Sequence, residues 1–322
     1  MSQLVRVDEI FIDRILDDTH GLWHDALARP AYGRFWQAQL STTWGREHLT
    51  RWALVDGSRV LSSAKLYQLQ ACLDGQPINI ARIGAVFTPE TMRGRGAARE
   101  LIDRILGEPA AACDAALLFS EIGAEYYARL GFVDVPIDDL ALRVIEDSRR
   151  GAPATLVRSG EDRDLPDIVA IDAARAEPFR FHLRRSRDLV QFAIAKKRLL
   201  AGLGPRGLRE VQFFVAEEGA SAVAYVVIEA KGNEWTIDSC GDRDPAGARV
   251  GAILQVLIAR DPSQRRPRIK GWLPSAFRPP QLERLDATPS RELMMIKPLT
   301  DRVRARPGLD SRTVLYWRGD VF

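Results

Sequence analysis

Arg93-Gly94-Arg95-Gly96-Ala97-Ala98 sets two guanidinium groups beside residues with little or no side chain. Small residues let a ligand approach the main chain, and the cations favour an anion there. Directly after this turn, Ala98, Leu101, Ile102, Ile105 and Leu106 recur on one helical face, while Arg99, Glu100, Asp103 and Arg104 take the other. The first turn of such a helix leaves its N–H groups unpaired and carries the positive end of the dipole, so the implied chemistry is phosphate or pyrophosphate binding. Two common nucleotide turns are excluded. A dinucleotide fingerprint needs a third small residue where Arg99 stands, and a P-loop needs Gly-Lys-Ser/Thr after its glycines.

The elements that must position this turn are legible on either side of it. Ile80 to Phe87 is apolar and β-branched enough for a strand inside a sheet, and the helix follows from Ala97. A second short apolar run, Ala115 to Phe119, comes next, and after one turn Glu125-Tyr-Tyr-Ala-Arg-Leu-Gly-Phe132.

Arg93, Gly96 and Ala98 match Arg/Gln-x-x-Gly-x-Gly/Ala, and Tyr127 to Phe132 matches Tyr-x-x-x-Gly-Phe. In this order and spacing the two motifs resemble those of the GNAT superfamily of N-acetyltransferases. The resemblance implies an α/β (α+β) fold with a mixed, mostly antiparallel sheet flanked by helices, and acetyl-CoA as co-substrate. It assigns the pyrophosphate to Arg93, Gly94, Arg95, Gly96, Ala97 and Ala98, and the pantetheine arm to backbone groups of Val86 and Phe87. Tyr127 stands where many GNAT enzymes protonate the departing sulfur. Phe119 to Phe132 also resembles the corresponding segment of fungal lysine N-acetyltransferases, which points to an amino-acid or polyamine-like amine. The tandem organisation and terminal Phe322 resemble the mycobacterial enhanced-intracellular-survival acetyltransferases.

A phenol of pKa ~10 stays protonated at neutral pH and can serve a thiolate of pKa about 8.5. Tyr126, its neighbour, is expected to pack. An alkyl ammonium of pKa ~10.4 must lose a proton before attack, and Glu121, just past the Leu117 to Ser120 strand, is the candidate base, with a turn carboxylate as its structural alternative. The expected acceptor is a small-molecule primary amine. An acyl-CoA sensor or assembly module without turnover, and an enzyme acting on a protein lysine or N-terminus, stay open.

The rest of the chain reads as two similar halves. Leu4 to Leu16 suggests a strand and the start of a helix, with helices expected over 21–28 and 33–40. Arg51 to Val55, Val60 to Leu73 and the strand from Ile80 form an antiparallel series joined by turns at Asp56-Gly57-Ser58-Arg59 and Asp74-Gly75-Gln76-Pro77. Val133 to Val144 is expected to close the first domain as a hairpin strand, and Glu146 to Pro153 to link it to the next. Val211 to Ala216, Ala222 to Ala230, Trp235 to Cys240 and the helix 252–258 then repeat the plan without either motif. The expected division is a catalytic domain over 1–150 and a degenerate GNAT-like domain without CoA over 151–322, with an unrelated α+β domain as the alternative for the second.

At 322 residues, with 46% hydrophobic and 28% charged side chains, the chain has room for two globular domains. A net charge of +3 is too balanced for a dedicated nucleic-acid binder, and the basic clusters at Arg184, Lys196 and Arg265 read as solvated faces. No apolar run suits a membrane span, no secretory signal opens the sequence, and the three scattered cysteines suit reduced thiols in a cytoplasm. His20 and His24 share a helical spacing but lack a third metal ligand, so no metal is expected. A monomer and a homodimer are both compatible with the sequence.

Overall fold

The computed structural model describes residues 1–145, 156–260, 266–274, 276–306 and 308–321. In chain order they form β1 (Gln3–Arg6), α1 (Glu9–Trp23), α2 (Arg29–Ser41), α3 (Thr43–His48), β2 (Leu49–Asp56), β3 (Arg59–Leu73), β4 (Gln76–Phe87), α4 (Ala97–Gly107), β5 (Ala115–Ser120), α5 (Glu125–Ala128) and β6 (Val133–Val135). There follow β7 (Asp138–Val144), β8 (Leu156–Ser159), α6 (Leu165–Ala176), β9 (Phe181–Leu183), α7 (Arg187–Leu203), β10 (Glu210–Glu218), β11 (Ser221–Lys231) and β12 (Glu234–Asp242). The last are α8 (Ala248–Ala259), β13 (Arg268–Gly271), β14 (Leu282–Pro289), β15 (Leu293–Pro298), α9 (Asp301–Arg304) and β16 (Val314–Leu315).

Two compact units result. One is Met1–Val135 with Arg291–Gly308; the other is Pro136–Ser290 with Leu309–Phe322. The sheet of the first runs β1-β2-β3-β4-β5-β15-β6, antiparallel except where β4 meets β5. A parallel pair needs a crossover, and α4 supplies it. The sheet of the second, read from its far edge, runs β8-β10-β11-β12-β13-β7-β14, with β12 and β13 its parallel pair and α8 its crossover. Place by place the two orders agree, so the repeat expected from the sequence is present as topology.

The division differs from a cut between 150 and 151. β6 and β7 do not form one hairpin: β6 ends the first sheet, while β7 enters the second between β13 and β14. Reciprocally, β15 enters the first sheet between β5 and β6. Strand pairing is a long-range choice that local patterning does not specify, which is why a contiguous boundary looked natural. The expected linker at Glu146 to Pro153 lies outside the described residues.

Strand alternation sets the layers of the first unit. Leu54, Ala64, Leu66, Ala81 and Ile83 point to the face covered by α4, whose Leu101, Ile102 and Ile105 are fully buried there. Ala53, Val55 and Val60 point the other way, against Ile15 of α1. The first helix begins at Asp8, whose carboxylate accepts from Ile10 N, and ends at His24, ahead of Asp25 and Ala26 in the left-handed region. The helix expected over 21–28 is therefore the end of α1 and a turn. His20 and His24 serve that turn: His20 Nε2 lies 2.9 Å from Leu27 O, and His24 Nδ1 accepts from Ala26 N. In the second unit Phe213, Val215, Tyr225 and Val227 face α6 and α7, while Phe214, Ala216, Val226 and Ile228 face α8.

Candidate active site

The central strand carries a local irregularity where it approaches the turn. Ser63 pairs with Phe87 and Lys65 with Gly84, so a two-residue step on β3 faces a three-residue step on β4. This is a bulge, and Ala85 within it takes φ +48°, a conformation that costs a non-glycine residue of order 1–3 kcal/mol. Ser62 fixes the far end by donating from Oγ to Phe87 O at 2.8 Å.

The same stretch loses its neighbour on the other side. Parallel pairing of β4 with β5 runs from Ile80–Ala115 to Arg82–Leu117 and stops, although β4 continues to Phe87 and β5 to Ser120. Gly84, Ala85 and Val86 are consequently part-exposed. A splayed strand of this kind offers main-chain donors and acceptors to an extended ligand arm, as an exposed sheet edge does.

Beyond Phe87 the chain makes a short 3₁₀ turn at Glu90–Met92 and enters α4 through Gly94 and Gly96, at φ +75° and +80°. Gly96 is the N-cap, no side chain caps the helix, and a Cβ at Gly96 would meet nothing within 4 Å. The first-turn N–H groups thus face open space beside exposed Arg93 and Arg95. Arg93 is steadied by donating from Nε to Thr88 O at 3.2 Å. Ala97 is buried and anchors the helix start in the core.

Tyr127 lies on α5 and belongs to the same apolar cluster as Ala97, with Val86 packed against it. The spacing of its motif has a structural cause. Tyr127 O accepts from Leu130 N at 3.0 Å and Phe132 N at 3.1 Å, and Gly131 at φ +85° lets the chain fold back so that the two rings meet edge to face. Burial, with a smaller effect from Tyr126, pushes the Tyr127 phenol up to about 12. Glu121 sits in an exposed bend after β5, outside the apolar cluster that unites Tyr127, Val86 and Ala97.

A feature not singled out from the sequence lies on the face opposite α4. Arg51, Lys65 and Arg82 occur inside apolar strands, and all three are buried. Arg51 and Lys65 are direct partners across β2 and β3, as are Tyr67 and Arg82 across β3 and β4. The Arg51 guanidinium lies 3.6 Å over the Trp36 ring and donates to Trp36 O at 2.9 Å; Lys65 Nζ lies 4.3 Å over the same ring and donates to Gln39 Oε1 at 3.2 Å. Burial pulls Arg51 down to about 9 and pushes Tyr67 up to about 12. A charged residue in the interior of each strand was the available signal, but only the register shows that they converge.

The family model for the acetyltransferase (GNAT) domain matches residues 16–133, the span that holds the bulge, the turn and Tyr127. A comparison with curated proteins found no match. Among solved structures, a GCN5-related N-acetyltransferase from Kribbella flavida superposes with a TM-score of 0.69 at 16% identity, covering 93% of this chain and 71% of that one. One from Anabaena variabilis gives 0.68 at 12% identity, covering 93% and 73%. A conserved protein from Enterococcus faecalis gives 0.69 at 11% identity, covering 93% and 72%. At these identities the likeness to the three structures is one of fold. The match of residues 16–133 identifies a GNAT acetyltransferase domain there, and the fold of the chain is similar to that of GNAT structures.

Proposed function

We propose that the first unit moves an acetyl group from acetyl-CoA to the primary amine of a small molecule, amino-acid or polyamine-like, by direct attack in a ternary complex. The observation that carries this reading is the continuity of the splayed, bulged end of β4 with the uncapped start of α4, whose Ala97 shares an apolar cluster with Tyr127. Val86 and Phe87 offer main-chain pairing to the pantetheine arm, and Arg93 to Ala98 hold the pyrophosphate. Binding both ends fixes the thioester next to the bulge, which converts the reaction to one within a complex. An N–H there stabilises the developing oxyanion.

The amine nitrogen attacks the thioester carbonyl, a C–N bond forms, the C–S bond breaks, and the thiolate takes the Tyr127 proton. A phenol raised to about 12 is protonated throughout the working range. Because it is a weaker acid than a free phenol, its proton moves as charge builds on sulfur rather than beforehand. The amine's own proton leaves through water to exposed Glu121, and a proton from solvent restores the Tyr127 phenol. The second unit serves as a degenerate, non-catalytic partner, and the protein works in a cytoplasm as a monomer or homodimer. Among the described residues no helix is long and apolar enough to cross a membrane.

Tyr127→Phe tests the assignment. It should lower kcat by ~100-fold or more with acetyl-CoA affinity unchanged, whereas Tyr126→Phe should cost little. Wild-type turnover in Tyr127→Phe would remove the proton-donor role. Acetyl-CoA binding without acetylation of any amine would favour a sensor or assembly module, and acetylation of protein lysines or N-termini alone would move the acceptor to proteins.

A further inference from the structure

Between α7, the start of α6 and β10 the second unit holds a cavity of about 480 Å³, within the range of small-molecule sites. One stripe of α7 lines it, because Gln191, Ala195, Arg198 and Gly202 recur every three or four residues. Leu165, Ile194, Leu199, Leu203 and Phe213 make its walls apolar. Leu165, Ile194 and Phe213 are buried, whereas Leu199 and Leu203 are only partly so. Phe213 packs flush on Gly160, where an added Cβ would lie 2.4 Å from its ring, so this wall is fixed. At Gly202 an added Cβ would meet nothing within 4 Å, and the space beside the helix is left open although glycine weakens a helix relative to alanine.

Polar groups stand at two places on this lining. Gln191 Nε2 donates to Asp162 Oδ2 at 2.7 Å. Two helical turns further on, ~10 Å along the axis, comes Arg198. Its guanidinium lies 5.9 Å from the Phe213 ring centre and has no carboxylate partner among the described residues. Its neighbour Lys197 is answered by Glu229 and Asp238. The cavity therefore combines apolar walls with one unanswered cation at one end and a carboxylate at the other.

We propose that this cavity binds a small apolar monocarboxylic acid, with its carboxylate on Arg198 and its chain between Leu199, Leu203 and Phe213. Burial of the chain supplies the driving force, and the guanidinium offers a carboxylate two parallel N–H donors. Asp162 disfavours a second acid group at the far end. The site lies wholly within the second unit and uses none of the residues assigned to acetyl transfer, so it stands or falls apart from the amine reading.

The test is calorimetric titration of the full chain with straight-chain acids from butanoate to decanoate, each beside its alcohol, its amine and the dicarboxylate of equal length. Affinity should rise ~4-fold with each added methylene until the cavity is full. Acid should exceed alcohol by ~5-fold or more at low salt and by less at high salt, and the amine and dicarboxylate should bind more weakly than the acid. Arg198→Met should erase the preference for acid over alcohol. Gly202→Trp, which fills the open space, should abolish the binding of both. Binding of no acid, equal affinity for acid and alcohol, an acid preference that survives Arg198→Met, or binding that survives Gly202→Trp overturns the proposal. Self-association that Gly202→Trp abolishes, with no acid bound, gives the cavity to a second copy of the chain and overturns it likewise. The comparison of acid with alcohol needs only the wild type, so misfolding of either variant does not rescue the proposal.

Discussion

Gly96 and Gly247 hold the same place in the two units: each caps the crossover helix after the fourth strand of its sheet, at φ +80° and +72°. Around Gly96 there is open space, no side-chain cap, and arginines that extend to solvent. Around Gly247 the space is taken, since a Cβ there would lie 2.2 Å from the Phe277 ring and 3.1 Å from Pro279. Its charge is answered as well. Asp242, at the end of β12, accepts from Arg249 N and Asp244 N at 2.9 Å, and its carboxylate also pairs with the Arg249 guanidinium at 3.1 Å. Topology thus supplies a positive helix end twice, but an internal carboxylate and a phenyl ring fill the second. An anion site needs the vacancy as much as the helix.

The most severe way to probe this difference is to separate the halves at 150. Residues 1–150 retain the Gly96 turn but lack β15, the strand between β5 and β6, whose Met294 and Met295 are buried. Both flanking strands would be left with bare edges and the core with a gap, so this fragment should show no cooperative urea transition. A fragment that melts cooperatively and binds acetyl-CoA would mean the exchanged strand is dispensable.

Less drastic is a matched pair at the two glycines. Gly96→Glu puts a carboxylate and a strained residue at the open turn, and it should abolish the melting shift that acetyl-CoA gives the wild type. Gly247→Ala should keep that shift yet destabilise the protein by ~2–4 kcal/mol, as Phe277 must move and the left-handed residue is strained. Reversed outcomes would show that the second helix end is the one that binds.

The open turn was legible in the sequence because everything that makes it is local: small residues, cations and an amphipathic run lie within one stretch. Tyr127 was legible for the same reason, its motif being a single turn closed by Gly131 and Phe132. The exchange of β7 and β15 was not, since nothing in Leu293 to Pro298 distinguishes one sheet from the other. Nor was the convergence of Arg51, Lys65 and Arg82, which depends on register across three strands. Burial of charge misled in the second unit too. Arg184 and Arg187 are exposed, as solvated faces require, but Arg185 is buried between Asp172 and Asp320, and Lys197 pairs with Glu229 and Asp238. Part of the third basic cluster, at Arg265, lies outside the described residues.

That last contrast yields the smallest effect. Arg185 is shared by two carboxylates, Asp172 and Asp320, in the unit that holds neither the turn nor Tyr127, so the second unit should show its charge in stability and not in catalysis. Burial, opposed by Arg185 and reinforced by Asp172 and Asp238, pushes the Asp320 carboxyl up to about 6. Between its ordinary value of ~3.9 and 6 the folded chain holds a proton that the unfolded chain has lost, so this group's stabilisation, full below ~4, fades as pH rises through 6. Glu229 works in the opposite sense and in another window: although burial opposes it, Lys197 and Lys231 hold it down to about 2, so its contribution is lost only as pH falls below ~4.5. Asp320→Asn removes the titration but leaves Arg185 paired with Asp172, and Tyr316 still donates to the main-chain oxygen of residue 320. Urea midpoints of the wild type should fall between pH 4.5 and 6.5 by an amount worth at most about 3 kcal/mol, and those of Asp320→Asn should be flatter across the same interval. The pH dependence of acetylation should be the same in both proteins. A variant that keeps the wild-type slope would place the titration on another buried carboxyl, while a shifted acetylation profile would tie this network to the chemistry of the first unit.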